Sequence, residues 1–212
     1  MLGAQRPVCG VLGCGKRGFG TRPDSGGKGA DMVEKKDRTS EFYSAGLEME
    51  EQGHKFYLQA GRQSKNELVK KLFKMLAEDE LVHMERIMKI YGSLKQGREW
   101  SLQWRKLPLK HPDIREIFVS LAGKNKDKIK PESSDLDAID VGLELENRSI
   151  NYYQGHLEKA SSQAEKQFLE QMKSEEQVHH SLLADMKFYL SNPESWYAEH
   201  KSTAWTEPKT GS

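Results

Sequence analysis

The chain has 212 residues, 33 of them basic and 32 acidic, for a formal net charge of +1. That balance offers no electrostatic footing for nucleic acid or for an anionic membrane surface, and no apolar run approaches the roughly 20 residues that a membrane span requires. Charged residues make up 31% and the apolar ones fall in stripes between them, which suits amphipathic helices around one core, in a single domain with tails.

Residues 1–36 stand apart. They are rich in glycine, Gly10, Gly13, Gly15, Gly18 and Gly20 among them, and predict a disordered segment that builds no packed element. Both cysteines, Cys9 and Cys14, lie here. Two thiols are too few for a four-cysteine iron site and cannot crosslink the core, so a reducing, cytoplasmic setting is the default. Up to residue 30 the segment carries five basic residues and one acidic. It fits either a cleaved targeting peptide or an extension upstream of a true start at Met32, and it lacks the apolar centre of a secretory signal. The helical domain is expected over residues 37–192, with a tail at 193–212.

Ser40 is placed to cap the first helix, with Glu41 in its first turn, and Gly61 to end it. Its inward line is Tyr43, Gly46, Glu50, Gly53 and Tyr57. Two glycines inside a helix cost about 1 kcal/mol each, and flanking Glu50 they keep bulk away from it. Ser64 and Glu67 form a capping box for the second helix, whose seam reads Phe73, Leu76, Glu80, His83, Ile87, Ile90. A carboxylate and an imidazole thus share an apolar face, one turn apart. Taken alone, such a pair reads most simply as two core polar groups satisfied by their neighbours. The short connection makes these helices antiparallel neighbours.

Residues 93–134 interrupt the pattern. Pro108, Pro112 and Pro131 punctuate it, a short apolar helix falls near Ile114 to Ala122, Trp100 and Trp104 are packing residues, and the lysines between Lys124 and Lys130 form a solvated connection. A connection of this length crosses a bundle from end to end.

The third helix, capped by Ser134 or Asp135, has the inward line Ile139, Gly142, Glu146, Ser149, Tyr153; the fourth, capped by Ser162 and Glu165, has Leu169, Met172, Glu176, His179, Leu183, Met186. Each of Glu146, Glu176 and His179 lies 96 residues beyond Glu50, Glu80 and His83, and in both halves the lone Glu precedes the E-x-x-H Glu by 30. The helical hairpin is repeated, and its buried polar groups are repeated with it. Six such groups at matched offsets call for a common ligand. One Glu from each of two helices and a Glu-x-x-His from each of the others is the two-metal arrangement of ferritin-like all-α bundles. Two divalent cations would neutralise the four carboxylates. Oxygen donors with one nitrogen per ion suit Fe, or Mn, better than Zn. Glu80 and Glu176 are placed to bridge, Glu50 and Glu146 to be terminal, and His83 and His179 to give one nitrogen each. Tyr57 and Tyr153 are either hydrogen-bond donors to the ligands or core residues. His54, His156 and His180 read as partly exposed, and Glu48, Glu78, Glu144 and Glu175 as solvated faces.

The segments LEMEEQGHKFY, LAEDELVHMERI, LELENRSINYY and MKSEEQVHHSLL resemble the helical domain of the rubrerythrin family, over roughly residues 40–190. The resemblance implies a non-haem centre of two Fe ions that reacts with hydrogen peroxide or O2, and a homodimer. Two departures accompany it. Better-known members have a further Glu where this chain has Ser149, and they carry a four-cysteine rubredoxin-like domain that this chain lacks. Electrons would therefore come from a separate donor, such as a rubredoxin-like protein. The expected function is an oxidoreductase acting as a peroxidase. The alternatives are a ferroxidase or iron-handling protein using the same site, and a non-catalytic metal-stabilised binding or sensing module.

Overall fold

Three residues separate the first two long helices, which leaves them no geometry but a hairpin. In the computed structural model, which describes residues 27–124 and 133–204, these are α1 (Gly27–Gln63) and α2 (Glu67–Lys95). A 3₁₀ turn at Leu102–Lys106 and α3 (Ile114–Lys124) form the crossover; α4 (Ser133–Leu157), α5 (Gln163–Ser191) and α6 (Pro193–Ala204) complete the described chain. The protein divides into two compact units, Met1–Lys36 and Asp37–Ser212, and the second contains the bundle. No helix among the described residues is long and apolar enough to cross a membrane.

Side-chain contacts fix the directions. Along α1, a Cβ at Gly61, Gly53 or Gly46 would meet Phe73, Glu80 or Ile87 of α2 in turn, so the two run antiparallel. Lys173 bonds Gln154 and Lys187 bonds Asp140, so α5 runs antiparallel to α4. Tyr57 reaches Glu146 while Tyr152 reaches the Phe42 carbonyl, which makes α1 and α4 antiparallel as well. The result is a ferritin-like four-helix bundle of two hairpins, joined as the long crossover predicts. That crossover follows the groove between α2 and α5: Trp104 packs on Phe168, the Leu107 carbonyl meets Arg86, Lys110 and His111 meet Asp79, and Phe118 packs on Tyr189.

Local details differ from expectation at several ends. Helix α1 begins at Gly27, so Ser40 is not its cap, and the expectation of disorder for 1–36 otherwise falls outside the described residues. Asn66, not Ser64, caps α2 by accepting from the Leu68 and Val69 amides, while Ser64 Oγ accepts from the Asn66 amide. Asx side chains compete well for this role, and the hydroxyl two residues upstream steadies the turn. Ser162 does cap α5. Helix α2 overruns Gly92 and is ended by Gly97, whose φ of 72° needs a residue without a Cβ. The expected tail is helical from Pro193 to Ala204. Helix α6 buries Trp196 between Phe118 and Tyr189; Trp205 lies outside the described residues.

The core is divided in two. One apolar cluster gathers Tyr57, Leu72, Phe73, Leu76, Ile139, Leu183 and Met186; the other gathers Phe42, Ile87, Ile90, Tyr153, Phe168 and Met172. On every long helix the polar residues of the seam fall between these two clusters, so the polar centre is capped by hydrocarbon at both ends.

Candidate metal centre

All six seam residues converge. Glu50 and Glu146 are 1% and 2% exposed, Glu80 3%, and His83, Glu176 and His179 fully buried. Each helix delivers its part because the i, i+3 spacing puts Glu and His on one face, pointing inward between the two apolar clusters.

The atoms form two groups. Around His83 Nδ1 lie Glu176 Oε1 at 2.9 Å, Glu80 Oε2 at 3.4 Å and Glu50 Oε2 at 3.5 Å. Around His179 Nδ1 lie Glu176 Oε2 at 3.5 Å, Glu80 Oε1 at 3.7 Å and Glu146 Oε1 at 3.9 Å. Glu80 and Glu176 turn one oxygen to each group, and within each group the ligand atoms lie within 4.8 Å of one another, close enough for a shared cation. The imidazole rings lie nearly parallel, centroids 5.6 Å apart.

Whether a metal fits can be judged from what these atoms lack. Both imidazole Nδ1 atoms, both Glu176 oxygens, Glu80 Oε2 and Glu146 Oε2 are buried without a hydrogen-bond partner; even the 2.9 Å approach of Glu176 to His83 is not aligned as a hydrogen bond. A buried polar group left unpaired costs about 1–3 kcal/mol, and here all but Glu146 Oε2 lie within 3.5 Å of another of these atoms. Four oxygen-donor residues and two nitrogens, dry and mutually facing, are a donor set for two hard or borderline cations.

Electrostatics agree. Burial, with the charges of Glu176 and Glu50, pushes Glu80 well above the usual carboxylate range; burial and Glu176 do the same to Glu146. Burial would raise Glu176 too, but His83 and His179 outweigh it and hold that carboxyl below its ordinary value. Burial would lower both imidazoles. Glu176 and Glu175 instead raise His83 well above its ordinary value, and Asp79, Glu176 and Glu146 do so for His179. Protons thus stand in for cations at the same atoms.

Tyr57 and Tyr153 are donors, not merely core. The Tyr57 hydroxyl donates to Glu146 Oε1 and the Tyr153 hydroxyl to Glu50 Oε1, each across from one hairpin to the other. Burial first, then those carboxylates, raises both phenols well above their ordinary value, so they stay protonated.

One expectation is overturned. Glu175 is no solvated face: it is only 8% exposed, its Oε2 3.1 Å from His83 Nε2, and it accepts from Arg86 and from Gln171. His83 and Arg86 outweigh burial and bring its carboxyl down to about 2. Its counterpart Asp79 is fully buried beside His179, Oδ2 3.7 Å from Nε2. These two, and Arg86, escape a reading confined to one seam. The missed signal was in the repeat, since Asp79 and Glu175 are also 96 residues apart. His54 is half-buried, bonded to the Ala77 carbonyl, and His156 and His180 are half-buried away from the cluster; Glu48 and Glu144 are exposed, and Glu78 pairs with His111.

Comparison with protein-family models gives a match to Rubrerythrin over residues 41–187, a span that holds all six residues. No match is found among curated proteins or among solved structures.

Proposed function

Because the chain belongs to the rubrerythrin family, a family of di-iron ferritin-like proteins, we propose that it is an oxidoreductase that reduces hydrogen peroxide. The observation that carries this reading is the pair of orphaned donor groups sharing Glu80 and Glu176. Glu50, Glu80, His83 and Glu176 would hold one iron, and Glu80, Glu146, Glu176 and His179 the other; manganese suits the same donors. When bound, the iron pair supplies the electrons that reduce peroxide.

The residues supply the rest. Glu80 and Glu176, each with one oxygen turned to either group, would hold ions in both. Tyr57 and Tyr153 fix the terminal carboxylates Glu146 and Glu50, and because their phenols remain protonated they can donate but not compete as anions. The apolar clusters at both ends exclude bulk water, which strengthens every charge interaction between them. Reduction of hydrogen peroxide to water consumes electrons and protons in equal number. The electrons would come from a donor such as a rubredoxin-like protein; the two cysteines of this sequence, Cys9 and Cys14, are too few for a four-cysteine iron site.

The test is metal analysis of the purified protein, then anaerobic reduction and titration with peroxide under spectroscopic observation. Reduced protein should consume peroxide stoichiometrically and faster than O2. Peroxide turnover equal to or slower than that with O2 would overturn the reading. Ferric iron accumulating well beyond two per chain would replace it with iron handling, and tightly bound metal without redox turnover with a metal-stabilised module.

A further inference from the structure

Between its ties to the two helices beneath it, the crossover leaves room. On α2 it is held where Arg86 Nε meets the Leu107 carbonyl and where Asp79 Oδ1 accepts from the Lys110 and His111 amides. On α5 it is held by Arg105 on Gln167, and further along Arg115 of α3 pairs with Asp185. Between those two points α5 presents Gln171, Ser174, Glu175 and Val178, spaced i, i+3, i+4 and i+7 on one face, and they line a cavity of ≈ 510 Å³. Glu175 and His179 line its inner side, behind the imidazoles of the metal centre.

We propose that this cavity binds a small carboxylate with an apolar body. It is rich in hydrogen-bond donors, and its one lining carboxylate is already committed: Glu175 accepts from Arg86 and Gln171 and lies 3.1 Å from His83 Nε2. Arg105, by contrast, bonds the neutral amide of Gln167, and no carboxylate among the described residues pairs with it. The guanidinium carbons of Arg86 and Arg105 lie 5.8 and 5.4 Å from the centroid of the Trp104 ring, so two cations flank one indole. Trp104 is 3% exposed, and its Nε1 has no partner; a buried indole N–H ordinarily finds an acceptor. His179 repeats the signal at the inner side. A metal on Nδ1 leaves the ring proton on Nε2, and that nitrogen is buried and unpartnered as well.

The charge and the wall name the class of ligand. One guanidinium without a counter-ion calls for one negative charge, and its planar fork matches a carboxylate. A phosphate dianion would find too little positive charge here. The rest of the wall is hydrocarbon from Pro108, Leu109, Pro112, Ile114 and Val178. The prolines have no N–H to turn inward, and Val178 is exposed although apolar. The volume is that of a small-molecule site. Arg86 is shared, because Glu175 holds its Nη1, so the charge on Glu175 sets how strongly an anion is held beside it.

The experiment titrates the iron-loaded full chain with benzoate by calorimetry, with benzamide as the uncharged probe of similar size. Binding is read without turnover, so it stands or falls apart from the peroxide reading. Benzoate should bind once per chain, about tenfold or more tighter than benzamide. Arg105→Gln, at an exposed position, should weaken benzoate about tenfold and leave benzamide unchanged. Ser174→Phe, also at an exposed position, should weaken both by obstructing the cavity. Glu175→Gln removes the one negative charge of the wall and should tighten benzoate about tenfold. No saturable benzoate binding at millimolar concentration, or benzamide bound as tightly, would overturn the site. So would benzoate binding that Arg105→Gln and Ser174→Phe leave unchanged, since it would then lie elsewhere, the metals included.

Discussion

The two halves of the repeat each bring the same three ligand types to the centre but hold their imidazoles differently. His83 Nε2 is tied at 3.1 Å to Glu175, which is itself gripped by Arg86 and Gln171, while Arg86 Nε donates to the Leu107 carbonyl at 2.8 Å. His179 Nε2 stands 3.7 Å from Asp79, too far for a hydrogen bond, and neither atom has another partner. Asp79 is one methylene shorter than Glu175, and its Oδ1 is committed to the Lys110 and His111 amides at 3.0 and 3.2 Å. Nor does the second half possess the guanidinium: the residue 96 beyond Arg86 is Leu182, buried and apolar. The residues that face the metals are repeated because both halves must supply the same donors. The groups behind them have diverged because each half packs against a different stretch of crossover.

The largest effect removes what the halves share. Glu176→Ala takes one oxygen from each group and leaves both imidazoles without their nearest anion, so metal should fall below one ion per chain. Breaking such a buried charge network costs about 3–5 kcal/mol, readable as a lower melting temperature. Glu50→Ala should leave the His179 group able to bind, and equal losses in the two variants would show that the halves act only as one. Protons come next. The metal-free protein holds Glu80, Glu146, His83 and His179 above their ordinary pKa values, so a cation must displace protons from them. Affinity should therefore rise with pH, by about tenfold per unit for each proton displaced, and a pH-independent affinity would contradict the assignment of these atoms.

The supports are then separable. Glu175→Ala should weaken metal binding at its half by about 10–100-fold and strand Arg86 in the interior. Asp79→Ala should cost less in affinity, since no hydrogen bond to His179 is lost, and should chiefly quicken hydrogen exchange of the Lys110 and His111 amides. Equal affinity losses would erase the distinction between the halves.

That distinction was the part the sequence could not announce. The six donors were legible because buried polar residues interrupt an apolar period of 3.6 and recur at one offset. Glu175 sits about 100° around the helix from Glu176, off the seam, and what buries it is Arg86 from another helix and a crossover whose path no local rule dictates. The same holds for Trp196, which faces inward only because α3 supplies Phe118 and α5 supplies Tyr189. Asn66 won the cap of α2 from Ser64 by a local competition between two good capping residues, a matter of register that pattern alone leaves open.

A smaller effect tests the crossed tyrosines. Tyr57→Phe leaves Glu146 Oε1, and Tyr153→Phe leaves Glu50 Oε1, without its hydroxyl donor. Each should lower stability by about 1–3 kcal/mol, the penalty of a buried acceptor left bare, with the loss reduced once metal engages the carboxylate. Because both hydroxyls cross between hairpins in the same way, the two variants should match closely. A clear difference in their melting temperatures would extend the asymmetry from the imidazoles to the terminal carboxylates.

The smallest effect separates two glycines of the inward lines. Alanine is favoured over glycine inside a helix by about 1 kcal/mol. At Gly53 a Cβ would lie 3.4 Å from Glu80 Cδ, an ordinary contact, whereas at Gly142 it would lie 3.1 Å from Leu183 Cδ1 and 3.3 Å from Tyr57 Cε1. Leu183 and Tyr57 are both fully buried, so neither can retreat, and the strain of overpacking, about 1–3 kcal/mol, should cancel or exceed the gain. Gly53→Ala should therefore melt higher than wild type and Gly142→Ala no higher, by thermal denaturation of the metal-free proteins.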